Sequence, residues 1–107
     1  MPAAALDDPI LKRFRAALDA LYGDRIERVV LYGSRARGDF HAESDYDVAV
    51  FLHHLTNRWK EVDRIADVTT DILMLTGEVV NAMVFPAGAY QERTGFMHEV
   101  RLDGIDL

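Results

Sequence analysis

Hydrophobic and polar positions fall into helical stripes and short strand-like runs, and these patterns predict the order of the elements. Apolar residues recur in steps of three and four from Ile10 to Leu21 and again from Trp59 to Thr76, the spacing of amphipathic helices. The segments 29–32, 48–52 and 78–85 have the length and composition of buried strands. A last helix is expected over 89–102, interrupted or bent near Gly95.

Capping residues mark the ends of the two long helices. Asp8 followed by Pro9 is typical of a helix start, and Gly23 is placed to end that helix. Asn57 can cap the second helix, which Gly77 ends. The order helix, strand, strand, helix, strand, helix predicts an α/β domain with a single small mixed β-sheet and helices packed mainly on one side.

Length and composition exclude several classes of protein. A chain of 107 residues is expected to form one domain, residues 1–107, with one modest core. The net charge of −6 argues against general nucleic-acid binding. No apolar run approaches the roughly 20 residues that span a bilayer, and the acidic residues at positions 7 and 8 argue against a signal peptide. The absence of cysteine fits a cytoplasmic protein.

The segment Leu31–Leu52, LYGSRARGDFHAESDYDVAVFL, carries the candidate chemistry. Its first strand ends in a turn at Gly33, and Asp45 and Asp47 lie at the start of its second strand. Because strand side chains alternate between two faces, both carboxylates share one face and Tyr46 points to the other. Adjacent carboxylates repel each other unless a cation lies between them, and oxygen ligands suit Mg2+ or Mn2+.

The turn and its neighbours suit a phosphate group. Gly33 lets the backbone approach a phosphate closely, and the hydroxyl group of Ser34 can donate a hydrogen bond. Arg35 and Arg37 add positive charge, and Ser44 can cap the loop or orient the second aspartate. Arg25 and Arg28 precede the turn in the sequence. Together with Arg35 and Arg37 they are expected to form a local basic patch. These residues predict a nucleoside triphosphate held by its phosphates and a metal ion.

The spacing of these residues resembles a known family. Gly33-Ser34, ten residues and then Asp45-Tyr46-Asp47 match the Gly-Ser-x10-Asp-x-Asp pattern of the polymerase-beta-like nucleotidyltransferases. The run GSRARGDFHAESDYD is similar to their minimal single-domain branch, the MNT proteins. The resemblance implies a palm-like fold and Mg2+-dependent transfer of AMP from ATP to a hydroxyl group. It also implies an antitoxin whose partner is a helical HEPN toxin, with a tyrosine as acceptor in some members.

One position departs from the family pattern. Members usually carry a third carboxylate on the strand after the second long helix, whereas this chain has Asn81 there. Asparagine can ligate a metal through its carbonyl oxygen but cannot act as a base. Glu78 should lie on the other face of the strand. Two alternatives to an enzyme therefore stay open. One is a catalytically degenerate module that masks its partner, and the other is an unrelated acidic domain that merely carries Asp-x-Asp.

Residues outside the motif are expected to be structural. Trp59 is predicted to be a core or rim anchor rather than a platform for base stacking. The adjacent pair His53-His54 chelates poorly because the two rings point in opposite directions. The tail Ile105–Leu107 is expected to pack on this domain or on a partner, and Ala3–Ala5 to be frayed. The oligomeric state stays open.

Overall fold

The computed structural model describes residues 7–107, so the expected fraying of Ala3–Ala5 lies outside the described residues. The helices and strands in chain order are α1 (Pro9–Tyr22), β1 (Ile26–Tyr32), α2 (Ser34–Arg37), β2 (Tyr46–Leu52), α3 (Arg58–Thr76), β3 (Val80–Pro86), α4 (Gly95–Asp103) and β4 (Ile105–Asp106). The last helix is interrupted before Gly95, which was one of the two predicted alternatives, since a short 3-10 turn (Ala89–Gln91) precedes α4. No helix within residues 7–107 combines the length and the apolar character that crossing a bilayer requires.

The four strands form one mixed sheet in the order β3-β2-β1-β4. Strands β2 and β3 are parallel, whereas β1 runs antiparallel to both β2 and β4. The sequence pattern did not predict β4. Its residues Ile105 and Asp106 pair with Leu31 and Val30 of β1, so the apolar tail packs on its own domain.

The two faces of the sheet are covered unequally. Helices α1 and α3 pack on one face, where the side chains of β1 and β2 that point to them are fully buried. The short helix α4 covers part of the other face through Met97 and Val100, which pack against Ala49 and Phe51. The predicted small mixed sheet with helices mainly on one side is confirmed. The second face is the one on which Asp47 lies.

The cap of α1 also fixes the start of β2. Asp8 Oδ1 accepts a hydrogen bond from the Ile10 amide (2.8 Å), as the predicted helix start requires. The second carboxylate oxygen of Asp8 accepts one from the Tyr46 hydroxyl group (2.8 Å). Burial, together with this bond to Asp8, raises the pKa of Tyr46 to about 12. The side chain between the two candidate aspartates is therefore anchored in the core, on the face opposite to them.

The prediction for Trp59 was wrong, because its side chain is 78% exposed. The buried stripe at the start of α3 is centred on Glu61 and Ile65 instead. Glu61 can be buried because its carboxylate accepts hydrogen bonds from the Tyr22 hydroxyl group (3.0 Å) and from Arg25 (3.2 Å). Because the side of α3 that carries Glu61 and Ile65 faces the core, Trp59 lies outside it.

Candidate functional site

The turn after β1 lies against the second aspartate of the motif. Tyr32, the last residue of β1, is paired with Asp47 of β2. Gly33 follows with φ 75° and ψ −157°, a conformation that glycine alone adopts readily. A Cβ atom on Gly33 would lie 2.7 Å from Asp47 Oδ2, well inside van der Waals contact. The glycine therefore lets the backbone of the turn and the carboxylate come together.

The first aspartate and Asn81 complete the row of polar side chains. Asp47 is paired with Asn81 across the parallel strands β2 and β3. Asn81 Nδ2 donates a hydrogen bond to Asp45 Oδ2 (2.9 Å). Asn81, which occupies the position of the expected third carboxylate, thus lies beside Asp45 and Asp47. Within residues 7–107 there is no cluster of three or more His, Cys, Asp or Glu side chains arranged to hold a metal ion.

The environment of Asp47 disfavours its charged form. Burial is the largest cause of its raised pKa, and the negative charge of Asp45 raises it further, whereas Asn81 and Arg37 act in the opposite direction. The pKa of Tyr32 is raised as well, by burial and by the charge of Asp47. A positive charge brought between the two aspartates would relieve this repulsion.

Replacing Asp47 by asparagine is expected to stabilise the metal-free protein at neutral pH. Because the pKa of this carboxyl group is raised by folding, its ionised form destabilises the folded state, and the cost grows as the pH rises through its titration range. The free energy of unfolding of Asp47→Asn should therefore equal or exceed that of the wild type at pH 7 and lose this advantage in acid. Urea unfolding with EDTA at several pH values measures the difference. The prediction is contradicted if the free energy of unfolding of the variant, relative to that of the wild type, is lower at pH 7 than in acid.

Arg37, the last residue of α2, supplies positive charge to the site. Its guanidinium group pairs with Asp39 (3.2 Å) and with Asp103, the last residue of α4 (3.1 Å), and it lowers the pKa of Asp47. Ser34 opens the helix α2, whose first amide groups have no partner within the helix. Sequence reasoning missed Asp103, because nothing in the local pattern connects it with a residue 66 positions earlier.

Arg35 and Ser44 contact each other. The guanidinium group of Arg35 donates two hydrogen bonds to the Ser44 carbonyl oxygen (3.1 and 2.8 Å) and stacks over the Tyr46 ring (4.1 Å). It also pairs with Glu78 (3.7 Å), which precedes β3 rather than beginning it, because the strand predicted over 78–85 starts at Val80. The Ser44 hydroxyl group accepts a hydrogen bond within its own loop. Both residues hold the loop that leads into the aspartates, and their assignment to nucleotide binding stays a prediction.

The expected basic patch is smaller than the sequence indicated. Arg25 lies at the end of β1 opposite to the turn, where it binds the carbonyl groups of His53 and His54. Arg28 lies along β1, over the Tyr90 ring (4.1 Å). Seven strand residues span roughly 23 Å, so closeness in sequence does not mean closeness in space here. The expectation of a patch that includes these two arginines was wrong.

The donors at this site fit a divalent cation. Mg2+ takes one or two protein carboxylates and completes its shell with water and substrate phosphates. Asp45 is exposed and Asp47 is partly buried, so one carboxylate faces solvent and the other is fixed by the turn. The amide group of Asn81 offers a carbonyl oxygen if it rotates. The Gly33 turn lies beside these side chains, where it can bind phosphate oxygens.

The chain belongs to the polymerase beta nucleotidyltransferase family. The sequence model of the family described as "Polymerase beta, Nucleotidyltransferase" matches residues 19–105, which confirms the resemblance inferred from the motif. The named relatives include "Putative protein adenylyltransferase MJ0604" of Methanocaldococcus jannaschii, 35% identical over 73% of this chain and 72% of the relative. A second from the same organism, "Putative protein adenylyltransferase MJ0141", is 26% identical over 92% of this chain and 95% of the relative.

Solved structures show the same fold at low sequence identity. A nucleotidyltransferase-like protein from Sulfolobus solfataricus aligns with a TM-score of 0.65 at 19% identity, over 98% of this chain and 80% of that one. A crystal structure of the toxin-antitoxin MntA-HpeT aligns with a TM-score of 0.58 at 13% identity, over 86% and 68%. A toxin-antitoxin crystallised with AMP-PNP aligns with a TM-score of 0.55 at 16% identity, over 87% and 68%.

Proposed function

We propose that this protein is a Mg2+-dependent nucleotidyltransferase that transfers AMP from ATP to a hydroxyl group, a tyrosine hydroxyl group, of a HEPN-family toxin. It acts in this way as the antitoxin of the pair. The observation that carries the proposal is the contact between the Gly33 turn and Asp47, with Asp45 and Asn81 beside it. The turn proposed to bind phosphate and the carboxylates proposed to bind the metal are therefore next to each other.

The similar proteins support the nucleotide and the partner. The name of the relative that is 35% identical describes a protein adenylyltransferase, which favours AMP as the transferred group. Two of the structures with this fold are toxin-antitoxin proteins, one of them with AMP-PNP, a compound closely related to ATP. These descriptions belong to those proteins, and they guide the choice of partner proposed here.

Each residue of the site has a proposed role. Asp45 and Asp47 would hold Mg2+, which supplies charge for the phosphates and helps the acceptor hydroxyl group to ionise when it is bound. The Gly33 turn and the Ser34 hydroxyl group donate hydrogen bonds to phosphate oxygens. Arg37 balances the negative charge that develops on the leaving pyrophosphate. Arg35 and Ser44 are proposed to contribute by fixing the loop in front of the aspartates.

The transfer breaks a phosphoanhydride bond of ATP and forms a phosphate ester bond to the acceptor. The acceptor oxygen forms a bond to the α-phosphorus of ATP, the bond from that phosphorus to the bridging oxygen breaks, and pyrophosphate leaves with the electron pair. The proton of the acceptor passes to solvent, since Asn81 has no basic group to receive it. A phenol with a pKa of about 10 ionises far more readily than an aliphatic alcohol. Asn81 therefore favours a tyrosine as the acceptor.

A second function has one observation in its favour. Asn81 brings no charge to the site and already donates a hydrogen bond to Asp45, as expected of a degenerate site. In that case the protein neutralises its partner by covering it, without transfer.

Labelled ATP separates the two functions. The protein is incubated with ATP labelled at the α-phosphate, Mg2+ and the product of the neighbouring gene. We expect label on the tyrosine of the partner, and we expect Asp45→Ala and Asp47→Ala to lose it while Asp67→Ala, a change on the exposed side of α3, keeps it. Binding of the partner that survives both site substitutions, with no label in any sample, would favour masking.

A further inference from the structure

Strand β3 lies at the edge of the sheet with backbone groups that point outward. Among residues 7–107 it pairs with β2 alone. The Val79 carbonyl group and the Ala87 amide group bond to β2 (2.9 Å each). Because the backbone groups of successive strand residues point to opposite sides, those of Ala82 and Val84 point away from β2. Pro86, in the same outward series, has no N–H group to satisfy, as is typical of an edge strand.

A groove runs along this edge, between β3 and α3. It has a volume of about 320 Å³ and is lined by Val62, Ala66 and Thr69 of α3 and by the residues 80–83. The helical spacing of the α3 side chains extends the same stripe to Trp59, whose side chain is 78% exposed. An exposed edge of backbone donors and acceptors beside an apolar groove is complementary to an extended peptide. An exposed tryptophan is frequent among residues that anchor a partner.

The groove is continuous with the candidate site. Asn81 lines it and also contacts Asp45 (2.9 Å), and Met83, the next residue on that face of β3, is 39% exposed. In phosphoryl transfer the entering and leaving oxygens lie on opposite sides of the phosphorus. If pyrophosphate leaves over the turn at the end of β1, the acceptor enters from the side of β3.

We infer that an extended segment of the acceptor protein binds as a further strand on the edge of β3, with Trp59 as its anchor. This inference rests on the proposed function for the identity of the segment, which carries the hydroxyl group to be modified. Its side chains alternate between the groove and the opposite face. A residue of the segment beside Asn81 then places its hydroxyl group next to Asp45 and Asp47.

Hydrogen exchange of the backbone tests the binding mode directly. The probe is the product of the neighbouring gene, mixed with the full chain. We expect the amide groups of Ala82 and Val84 to exchange rapidly in the free protein and to become protected in the complex, by about tenfold or more. Unchanged exchange at these amides in a complex shown to form, or protection in the free protein by its own chain or a second copy, would overturn the inference.

Two pairs of variants test the groove without touching the carboxylates. Trp59→Ala and Ala66→Glu are expected to raise the KM for the acceptor protein about tenfold or more. Their controls are Leu75→Ala, which removes another exposed apolar side chain of α3 (69% exposed), and Ala16→Glu, which makes the same change on the exposed side of α1. All four should retain the rise in melting temperature that ATP and Mg2+ produce.

The outcomes for the inference and for the proposed function are distinct. If wild-type protein labels its partner and both groove variants do so with unchanged KM, the inference fails and the proposed function stands. If the edge amides become protected but no label is transferred, the inference holds and the proposed function fails. If the partner neither binds nor receives label, both are rejected.

Discussion

Replacement of Asp45 or Asp47 by asparagine is expected to lower the rate of AMP transfer more than about 100-fold. Loss of a group that merely orients a metal ligand costs up to about 100-fold in metal affinity or activity, and these carboxylates are proposed as the ligands themselves. Each substitution keeps the size of the side chain but removes its charge. The measurement is the initial rate of label transfer at saturating Mg2+ and ATP.

The control for this prediction is Asp67→Asn, which removes one carboxylate from the exposed side of α3. It should transfer AMP at the wild-type rate. Thermal unfolding without metal verifies that the site variants are folded, since Asp47→Asn should be at least as stable as wild type at pH 7. A folded Asp47→Asn protein with more than a tenth of the wild-type rate would exclude the proposed role of this carboxylate.

Replacement of Gly33 by alanine should have the largest effect on stability at the site. The backbone conformation of Gly33 costs other residues roughly 1–3 kcal/mol. Its new Cβ atom would also lie 2.7 Å from Asp47 Oδ2, and a forced contact in a packed region costs roughly 1–3 kcal/mol more. We expect the free energy of unfolding to fall by at least about 2 kcal/mol, together with loss of ATP binding. Urea unfolding and calorimetric titration measure the two effects.

Gly38 offers a matched control five residues further along the chain. It also has a positive φ, 89°, but a Cβ atom there meets nothing within 4 Å. Gly38→Ala should therefore cost only the left-handed backbone, about 1 kcal/mol, and keep ATP binding. Equal losses of stability in the two variants, with ATP binding unchanged in both, would show that the contact between Gly33 and Asp47 has no functional consequence.

Local patterns were sufficient for most of the fold. The start of α1 could be predicted because Asp8 and Pro9 determine a cap through neighbours two and three residues away. The faces of β2 could be predicted because alternation is a property of the strand itself, so the buried position of Tyr46 and the shared face of Asp45 and Asp47 followed from their spacing. The strand β4 could not, since two residues at the end of a chain carry no periodicity.

Contacts between distant segments could not be predicted from the local pattern of hydrophobic and polar residues. The ion pair between Arg37 and Asp103 depends on how α4 crosses the sheet, and the exposed side chain of Trp59 depends on the burial of Glu61 by partners elsewhere in the chain. The proximity of Gly33 to Asp47 was predicted only as a consequence of the motif. The structure supplies its physical reason, a backbone conformation and a distance that exclude a Cβ atom.

A crystal structure of the protein with Mg2+ and a non-hydrolysable analogue of ATP would show directly whether the turn and the two aspartates form one nucleotide site. We expect a triphosphate between the Gly33-Ser34 turn and the two aspartates, with Asp45 and Asp47 as ligands of the metal ion. The β- and γ-phosphates should lie over the turn and the α-phosphate toward β3. A triphosphate bound elsewhere, or a metal ion that contacts neither aspartate, would show that these residues do not form the nucleotide site.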